Sequence, residues 1–426
     1  MVSLSPISPL LIAGGILLAG NGLQTTLLTL RAELEGFSPT IVGLMGTGYF
    51  LGFLVGTATV GRLIRIVGHI RVFSSLAAVA AAISLTLVIF IDPNYWIGAR
   101  IVMGFCVSGL FTVVESWLNE ATSNADRGQI LSIYRIVDLS AVTASQLVIP
   151  VVGIDGFEIF SLMAVLFCLS LVPIALSTRN APVPDNAPPF DLRQVWIISP
   201  MACIGVFAIG MSTSAFRAMG PLFASGIGLD LRGVATFMSA GIVGGAVLQL
   251  PLGLMSDRFD RRWVLIGATL GAALAGLMLA LGNGLPASAV YGEIFVFGAF
   301  ALPLYSLSVA HANDHAAKGQ YTLLSAGLIF IYSLGATLGP FAASFAIVRF
   351  GPRALFGYIA LVHLSLVAVA IGRLMARPVV PRQSRVRYTP LLRTSPAIFR
   401  LAKQRLAKQR LAKSGGNNGS PNGSQD

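Results

Sequence analysis

Residues 253–262 read Gly253-Leu-Met-Ser-Asp257-Arg258-Phe-Asp260-Arg261-Arg262, and five of these ten carry charge. On either side lie apolar runs, 231–254 and 263–282. Each is long enough to cross a hydrocarbon core of roughly 30 Å as a helix rising about 1.5 Å per residue. A short charged turn between two such runs is a membrane hairpin whose turn lies in water.

Ten further runs extend the pattern in both directions: 8–30, 39–60, 73–91, 95–119, 130–150, 159–177, 200–223, 287–310, 320–346 and 353–373. Composition agrees. Of 426 residues, 55% are hydrophobic and 11% charged, where a soluble domain carries about 25% charge. Soluble globular, disordered, collagen-like and disulfide-scaffold classes are thereby excluded. The runs are long and do not alternate, which excludes a β-barrel. The fold class expected is an all-α membrane protein with twelve transmembrane helices. Residues 1–9 lack a basic segment and a small-residue cleavage pattern, so the first run reads as the first membrane helix.

Loop charge sets the orientation. One set of connections holds Arg62, Arg65, Arg71, Arg127, Arg179, Arg193, Arg258, Arg261, Arg262 and Lys318; the other holds Arg31, Arg232, Arg349 and Arg353 beside six acids. The positive-inside rule places the first set, and with it both termini, in the cytoplasm of a plasma (bacterial inner) membrane protein. Of the net charge of +12, ten units belong to residues 377–426, which hold eleven Lys/Arg and one acid. The high net charge therefore describes a tail and gives no reason to expect nucleic-acid binding.

The segment 178–199 contains Pro182, Pro184, Pro188 and Pro189 and reads as an extended linker. It divides the chain into a six-helix bundle at 1–177 and another at 200–373, followed by a basic, disordered tail at 374–426. The halves repeat. Ser8-Pro9 recurs as Ser199-Pro200, Gly61-Arg62-Leu63 as Gly253-Leu254-Met255, and Arg127-Gly128-Gln129 as Lys318-Gly319-Gln320, at offsets of 191, 192 and 191 residues. Three such marks at one spacing signal duplication.

With these residues in view, the 253–262 turn resembles the loop signature of the major facilitator superfamily, Gly-x-x-x-Asp-Arg-x-Gly-Arg-Arg. Asp260 stands where that pattern has Gly. The first-half copy, Gly61 to Arg71, keeps Gly61 and Gly68 but has Arg65 in place of Asp. Arg100 followed by Gly104 resembles a second signature of that superfamily. Tyr49-Phe50 with Gly52 and Gly56, Val113-Val114-Glu115-Ser116 and Pro251 to Arg262 resemble its YcaD-like branch of permeases. The resemblance implies two pseudo-symmetric six-helix halves with the first, fourth, seventh and tenth helices around a cavity. The Gly-Pro-x-x-Gly pattern of drug antiporters is absent from 130–150. Independently of the family, Asp257 can accept amide N–H groups and pair with Arg, so Gly253, Asp257, Arg258, Arg261 and Arg262, with Gly61 and Gly68, read as a conformational latch. For Arg261 and Arg262, topology alone is an equal alternative.

Ionisable groups inside a bilayer cost several kcal/mol unless paired or hydrated, which makes them functional candidates. Arg100, Glu115, Arg135, Asp138, Arg217 and Glu293 lie inside the runs, with Asn21, Gln24 and Gln249 as uncharged polar candidates. Arg100 and Glu293 are 193 residues apart, close to the repeat offset, and are expected to face each other across the pseudo-twofold axis. Arg135 and Asp138 share one helix face with Glu115 nearby, either as a proton or gating site or as a static salt-bridge cluster. Gly48, Gly52 and Gly56 read as a close-packing stripe, and His363 as a packed imidazole. His311 and His315 have no third metal ligand, and the cysteines Cys106, Cys168 and Cys203 have no metal or disulfide spacing.

No nucleotide-binding loop or catalytic constellation is present, so no enzyme activity and no cofactor is expected. The expected function is secondary active transport of a small solute by alternating access, coupled to protons. The alternative is a membrane receptor or scaffold on the same fold. The expected partners are the substrate, protons and the bilayer, with the repeated Arg-Leu-Ala-Lys-Gln units of 400–413 against anionic lipid or simply solvated, and the protein is expected to be a monomer.

Overall fold

The computed structural model describes residues 7–120, 127–176, 191–317, 320–374 and Tyr388. It is all-helical in these residues: α1 (Ser8–Leu34), α2 (Pro39–Val67), α3 (His69–Ile89), α4 (Pro93–Glu120), α5 (Arg127–Val152), α6 (Glu158–Ala175), α7 (Leu192–Ile198), α8 (Pro200–Gly226), α9 (Leu231–Arg258), α10 (Arg261–Leu281), α11 (Ala287–Ala301), α12 (Leu304–Asn313), α13 (Tyr321–Phe350) and α14 (Ala354–Leu374). Among the described residues twelve spans are long and apolar enough to cross a membrane, with α11 and α12 together forming one of them.

Local chemistry sets the ends. Proline occupies the first turn of α1, α2 and α8, where its missing N–H costs nothing. Ser38 and Asp230 cap α2 and α9 by accepting the Ile41 and Gly233 amides at 3.4 and 2.8 Å. The turns ahead of these two caps each contain a left-handed glycine, Gly36 (φ 77°) and Gly228 (φ 92°). These positions are 192 residues apart, so the duplication extends to backbone conformation.

Packing repeats in the same way. In the first half α2 packs on α4, α1 on α5 and α6, and α3 on α4 and α6. In the second half α9 packs on α11, α8 on α13 and α14, and α10 on α11 and α14. Every first-half pairing thus has its second-half equivalent. The halves meet through α1–α8, α2–α13 and α5–α9. Apolar side chains such as Leu85, Leu169, Leu274 and Leu361, on α3, α6, α10 and α14, are exposed and suit a lipid surround.

Two expectations are corrected. The expected linker 178–199 is not extended throughout, since Leu192–Ile198 forms α7. Asp191 caps it by accepting the Arg193 and Gln194 amides, and Val195 is buried against Gly327 of α13. The 374–426 tail is not wholly apart from the bundle, because Tyr388 packs against Gly253 of α9. The remainder of the expected linker, the side chains of Arg127 and Lys318, and the tail's basic repeat lie outside the described residues.

Candidate functional site

A cavity opens between the halves, lined among others by Asn21, Thr25, Arg135, Asp138, Gln146 and Arg217. The end at which α1 runs into α2, assigned outside by the loop charges, is closed above it. There the Thr29 hydroxyl donates to the Ala218 carbonyl at 2.9 Å, and the Thr47 hydroxyl to that of Thr337 at 2.7 Å. Ser225 donates to the Glu33 carboxylate at 3.1 Å. Gly43 and Gly46 of α2 let Pro340 and Ser344 of α13 approach within contact of the backbone.

On the cavity wall Arg135 forks. Its Nη1 pairs with Asp138 Oδ2 at 2.5 Å, one turn along the same helix. Its Nε donates to Gln249 Oε1 of α9 at 3.1 Å. Gln249 is buried, so this contact joins α5 of one half to α9 of the other. From the start of α5, Arg135 lies roughly 12 Å along the helix. Glu115 is buried in α4, and its charge and that of Asp138 both act on the Tyr134 phenol. Glu115 therefore sits beside this group and off the cavity wall.

Beside the cavity lining, toward the end at which α1 runs into α2, the groups differ. Arg100 of α4 is buried, with its guanidinium 4.4 Å from the centre of the Tyr49 ring. Tyr49 donates its hydroxyl to Asn21 Oδ1 at 2.8 Å. Arg217 of α8 is exposed to the cavity, and the charges of Arg100 and Arg217 both reach Tyr49.

Arg100 and Glu293 do not pair. Arg100 stacks on Tyr49, whereas Glu293 lies in the field of Arg353, at the start of α14. Equivalent positions in a duplicated fold point at equivalent neighbours within their own halves, so a repeat offset predicts equivalence and not contact. Gln24 is fully buried with neither amide atom hydrogen-bonded among the described residues, and it does not line the cavity.

Of the residues expected to form a latch, Asp257 and Arg261 are joined directly. Arg261 is 1% exposed; it donates through Nη2 to Asp257 at 2.7 Å and through Nη1 to Asp314 and the Ala310 carbonyl, both at 2.8 Å. It thereby ties the α9–α10 turn to α12. Asp260 caps α10 by accepting the Arg262 amide at 3.1 Å and also pairs with the Arg262 side chain at 2.9 Å. Arg258 is exposed. In the first half, Gly68 takes φ 88° ahead of α3, and the buried His69 ring stacks on Trp117 of α4 at 6.4 Å. His69 and Arg261 are 192 residues apart. A ring stack thus stands in the first half where a guanidinium fork stands in the second. His69 was missed because nothing in its sequence neighbourhood marks the partner, 48 residues away.

Tyr388 was also missed. Its backbone N–H donates to both oxygens of Asp257, at 2.9 and 3.1 Å, and its ring lies on Gly253. A Cβ at position 253 would collide with that ring. Burial pushes the Tyr388 phenol up to about 12.

Comparison with known proteins agrees with this geometry. A family model described as Major Facilitator Superfamily matches residues 10–245 and 202–411. An MFS-type transporter of Yersinia pestis (strain Pestoides F) is 25% identical over 324 residues, covering 75% of this chain and 83% of the relative. The MFS-type transporter YcaD of Escherichia fergusonii is 24% identical over 358 residues, covering 82% and 91%. Among solved structures, the nucleoside transporter NupG superposes with TM-score 0.73 at 13% identity, covering 86% of this chain and 98% of that one. The D-xylose-proton symporter gives 0.71 at 13%, covering 89% and 99%. At these identities the structural likeness speaks for the fold.

Proposed function

We propose that this chain, which belongs to the major facilitator superfamily, moves its solute by alternating access coupled to protons, with Asp138 as the proton carrier. As a transporter of that superfamily it is an integral, multi-pass protein of the inner membrane acting on a small molecule. Duplicated halves around one central cavity supply the geometry that rocking requires. The loop-charge bias supports cytoplasmic termini.

The observation that carries the coupling is the Arg135 fork. One guanidinium holds both a carboxylate in its own half and an amide in the other. Protonating Asp138 removes the charge that fixes Arg135, which frees the fork and loosens the α5–α9 contact. Deprotonation restores it. The D-xylose-proton symporter among the structural neighbours is compatible with this reading. The turn network around Asp257 serves as the latch that resets as the halves move.

The test is solute flux in proteoliposomes with and without an imposed proton gradient. Gradient-dependent accumulation of a solute, reported by an internal pH dye as co-movement of protons, is the expected result. Ligand binding with no flux of any bound compound would favour a receptor instead, and flux indifferent to the gradient would remove the coupling.

A further inference from the structure

Two arginines near the cavity have no carboxylate to balance them. Arg135 and Asp138 satisfy one another, so their charges cancel on the wall. Arg217 and Arg100, by contrast, make no ion pair among the described residues. Arg100 is 4% exposed, with Nη1 buried and without a hydrogen-bond partner. Glu293, the carboxylate expected to balance it, makes no ion pair with it among the described residues.

The groups around these two charges are donors. Tyr49 places its hydroxyl on Asn21 Oδ1, which leaves the two N–H groups of Asn21 Nδ2 for the cavity that Asn21 lines. Arg217 lines the same cavity. Measured along their helices, Asn21, Tyr49, Arg100 and Arg217 all lie roughly 10–20 Å in from the outer ends. Asn21 lies deeper than the Thr29–Ala218 closure, and Arg217 directly precedes Ala218 in α8. Uncompensated cations held at such depth are costly, and an anionic ligand relieves that cost. A guanidinium and an amide lining one cavity suit planar or tetrahedral oxyanions.

We infer that the transported solute is a small organic anion, a carboxylate or phosphate monoester, held by Arg217 and Asn21 with Arg100 and Tyr49 behind them. This rests on the transport reading above. Arg217 makes the direct ion pair. Arg100 is a positioning residue: through the Tyr49 stack it fixes the Asn21 amide and adds long-range positive potential. A neutral sugar or an amine would leave both charges without a counterion.

The experiment is thermal unfolding of the purified full-length protein in detergent at constant ionic strength. The probes are benzoate, succinate and glycerol 3-phosphate, each beside its uncharged counterpart, benzyl alcohol, 1,4-butanediol or glycerol, with choline as the cation. At least one anion should stabilise saturably while its neutral counterpart and choline do not. Carboxylate and phosphate arms separate the two chemistries. Arg217→Gln should weaken the stabilising anion at least about tenfold, and Arg217→Lys should recover part of the loss. Arg100→Gln should weaken it less and relax the preference for the anion over its neutral counterpart. Circular dichroism and monodisperse elution confirm that each variant is folded.

Stabilisation by choline or the neutral solutes alone, no response to any of the three anions, or an unchanged anion response in folded Arg217→Gln would overturn the inference. Anion binding without flux would leave the site assignment standing and remove the transport reading. Flux of choline or glycerol with no anion binding would do the reverse.

Discussion

Gly52 of α2 and Gly104 of α4 face each other so closely that a Cβ on either would collide with the backbone of the opposite helix, at the Ile101 carbonyl for Gly52 and the Tyr49 carbonyl for Gly104. The second half builds the same crossing from Gly244 and Gly298, which would collide with the Phe295 and Gly241 carbonyls. The offsets are 192 and 194 residues. The crossing matters for the site because it sets the rotation of α4 against α2 and so lays Arg100 on Tyr49.

Gly52→Leu or Gly104→Leu should therefore push α2 and α4 apart. An overpacked crossing of this kind loses about 1–3 kcal/mol or more, enough to lower the melting temperature of the purified protein by several degrees and to cut its yield. Gly61→Ala is the control, because a Cβ there meets nothing within 4 Å. Equal melting of Gly52→Leu and Gly61→Ala would contradict the packing assigned to this stripe.

Topology has its own check. Reporter fusions at Asn94, in the first turn of α4, and at Gly284, in the α10–α11 connection, should report the outer side. Fusions at Asp185 and Ser414 should report the cytoplasm. A cytoplasmic signal at Gly284 would break the orientation of the second half.

At the end of α1 that runs into α2, Arg31 donates to the Glu35 carboxylate at 2.7 Å and to the carbonyls of Ile154, at 2.7 Å, and Asp155. It clips α1 to the α5–α6 connection, although as a basic residue it counted against placing this end outside. Arg31→Met keeps the length of the side chain and removes the donors. It should cost about 2 kcal/mol, read as a lower melting temperature with the ligand response intact. Loss of ligand response at unchanged melting would make Arg31 part of the site instead.

Hydropathy, loop charge and repeat spacing made the fold legible, because each reports a constraint that acts along the chain. Runs such as 231–254 must be apolar for a helix's whole length, and punctuation such as Ser8-Pro9 and Ser199-Pro200 marks where helices begin. The Arg135–Asp138 pair was legible for the same reason, since three residues on a helix fix a contact. The neighbours of Arg100 and Glu293, and the Asp314 partner of Arg261, were not. They depend on how each helix is rotated within its bundle, which side-chain packing across helices decides. The Tyr388 contact, made among the described residues by its backbone N–H and its ring, depends on a tail whose composition gives no packing pattern.

The latch follows from the two carboxylates that share Arg261. Asp257→Asn removes one charge but leaves Asp314, so the buried guanidinium keeps an ion pair and the protein should remain folded and inserted. What it loses is the charged hold on Arg261 and on the Tyr388 N–H. Transport should fall several-fold with ligand-induced stabilisation unchanged. In the first half, Arg65 is exposed and the turn relies on His69 and Trp117, so Arg65→Asp should not copy the loss. Wild-type rates in Asp257→Asn would leave this turn with a topological role only.

Asp138 carries the strongest demand. Ionised, it holds Arg135 at 2.5 Å, and Arg135 in turn holds Gln249 across the halves. Asp138→Asn fixes the uncharged form, which can still accept a hydrogen bond from Arg135 but gives no charge to release on protonation. Gradient-driven accumulation should therefore disappear while binding, and exchange of solute across the membrane, survive. Gln249→Ala cuts the fork on the other side. It should slow accumulation without abolishing its dependence on the proton gradient, because the titrating group is intact. Glu115→Gln should be milder still, since Glu115 is buried off the cavity wall. If Asp138→Asn still accumulates solute from a proton gradient, Arg135 and Asp138 are a structural pair and the proton is carried elsewhere. Glu115, whose charge also acts on Tyr134, is then the next group to substitute.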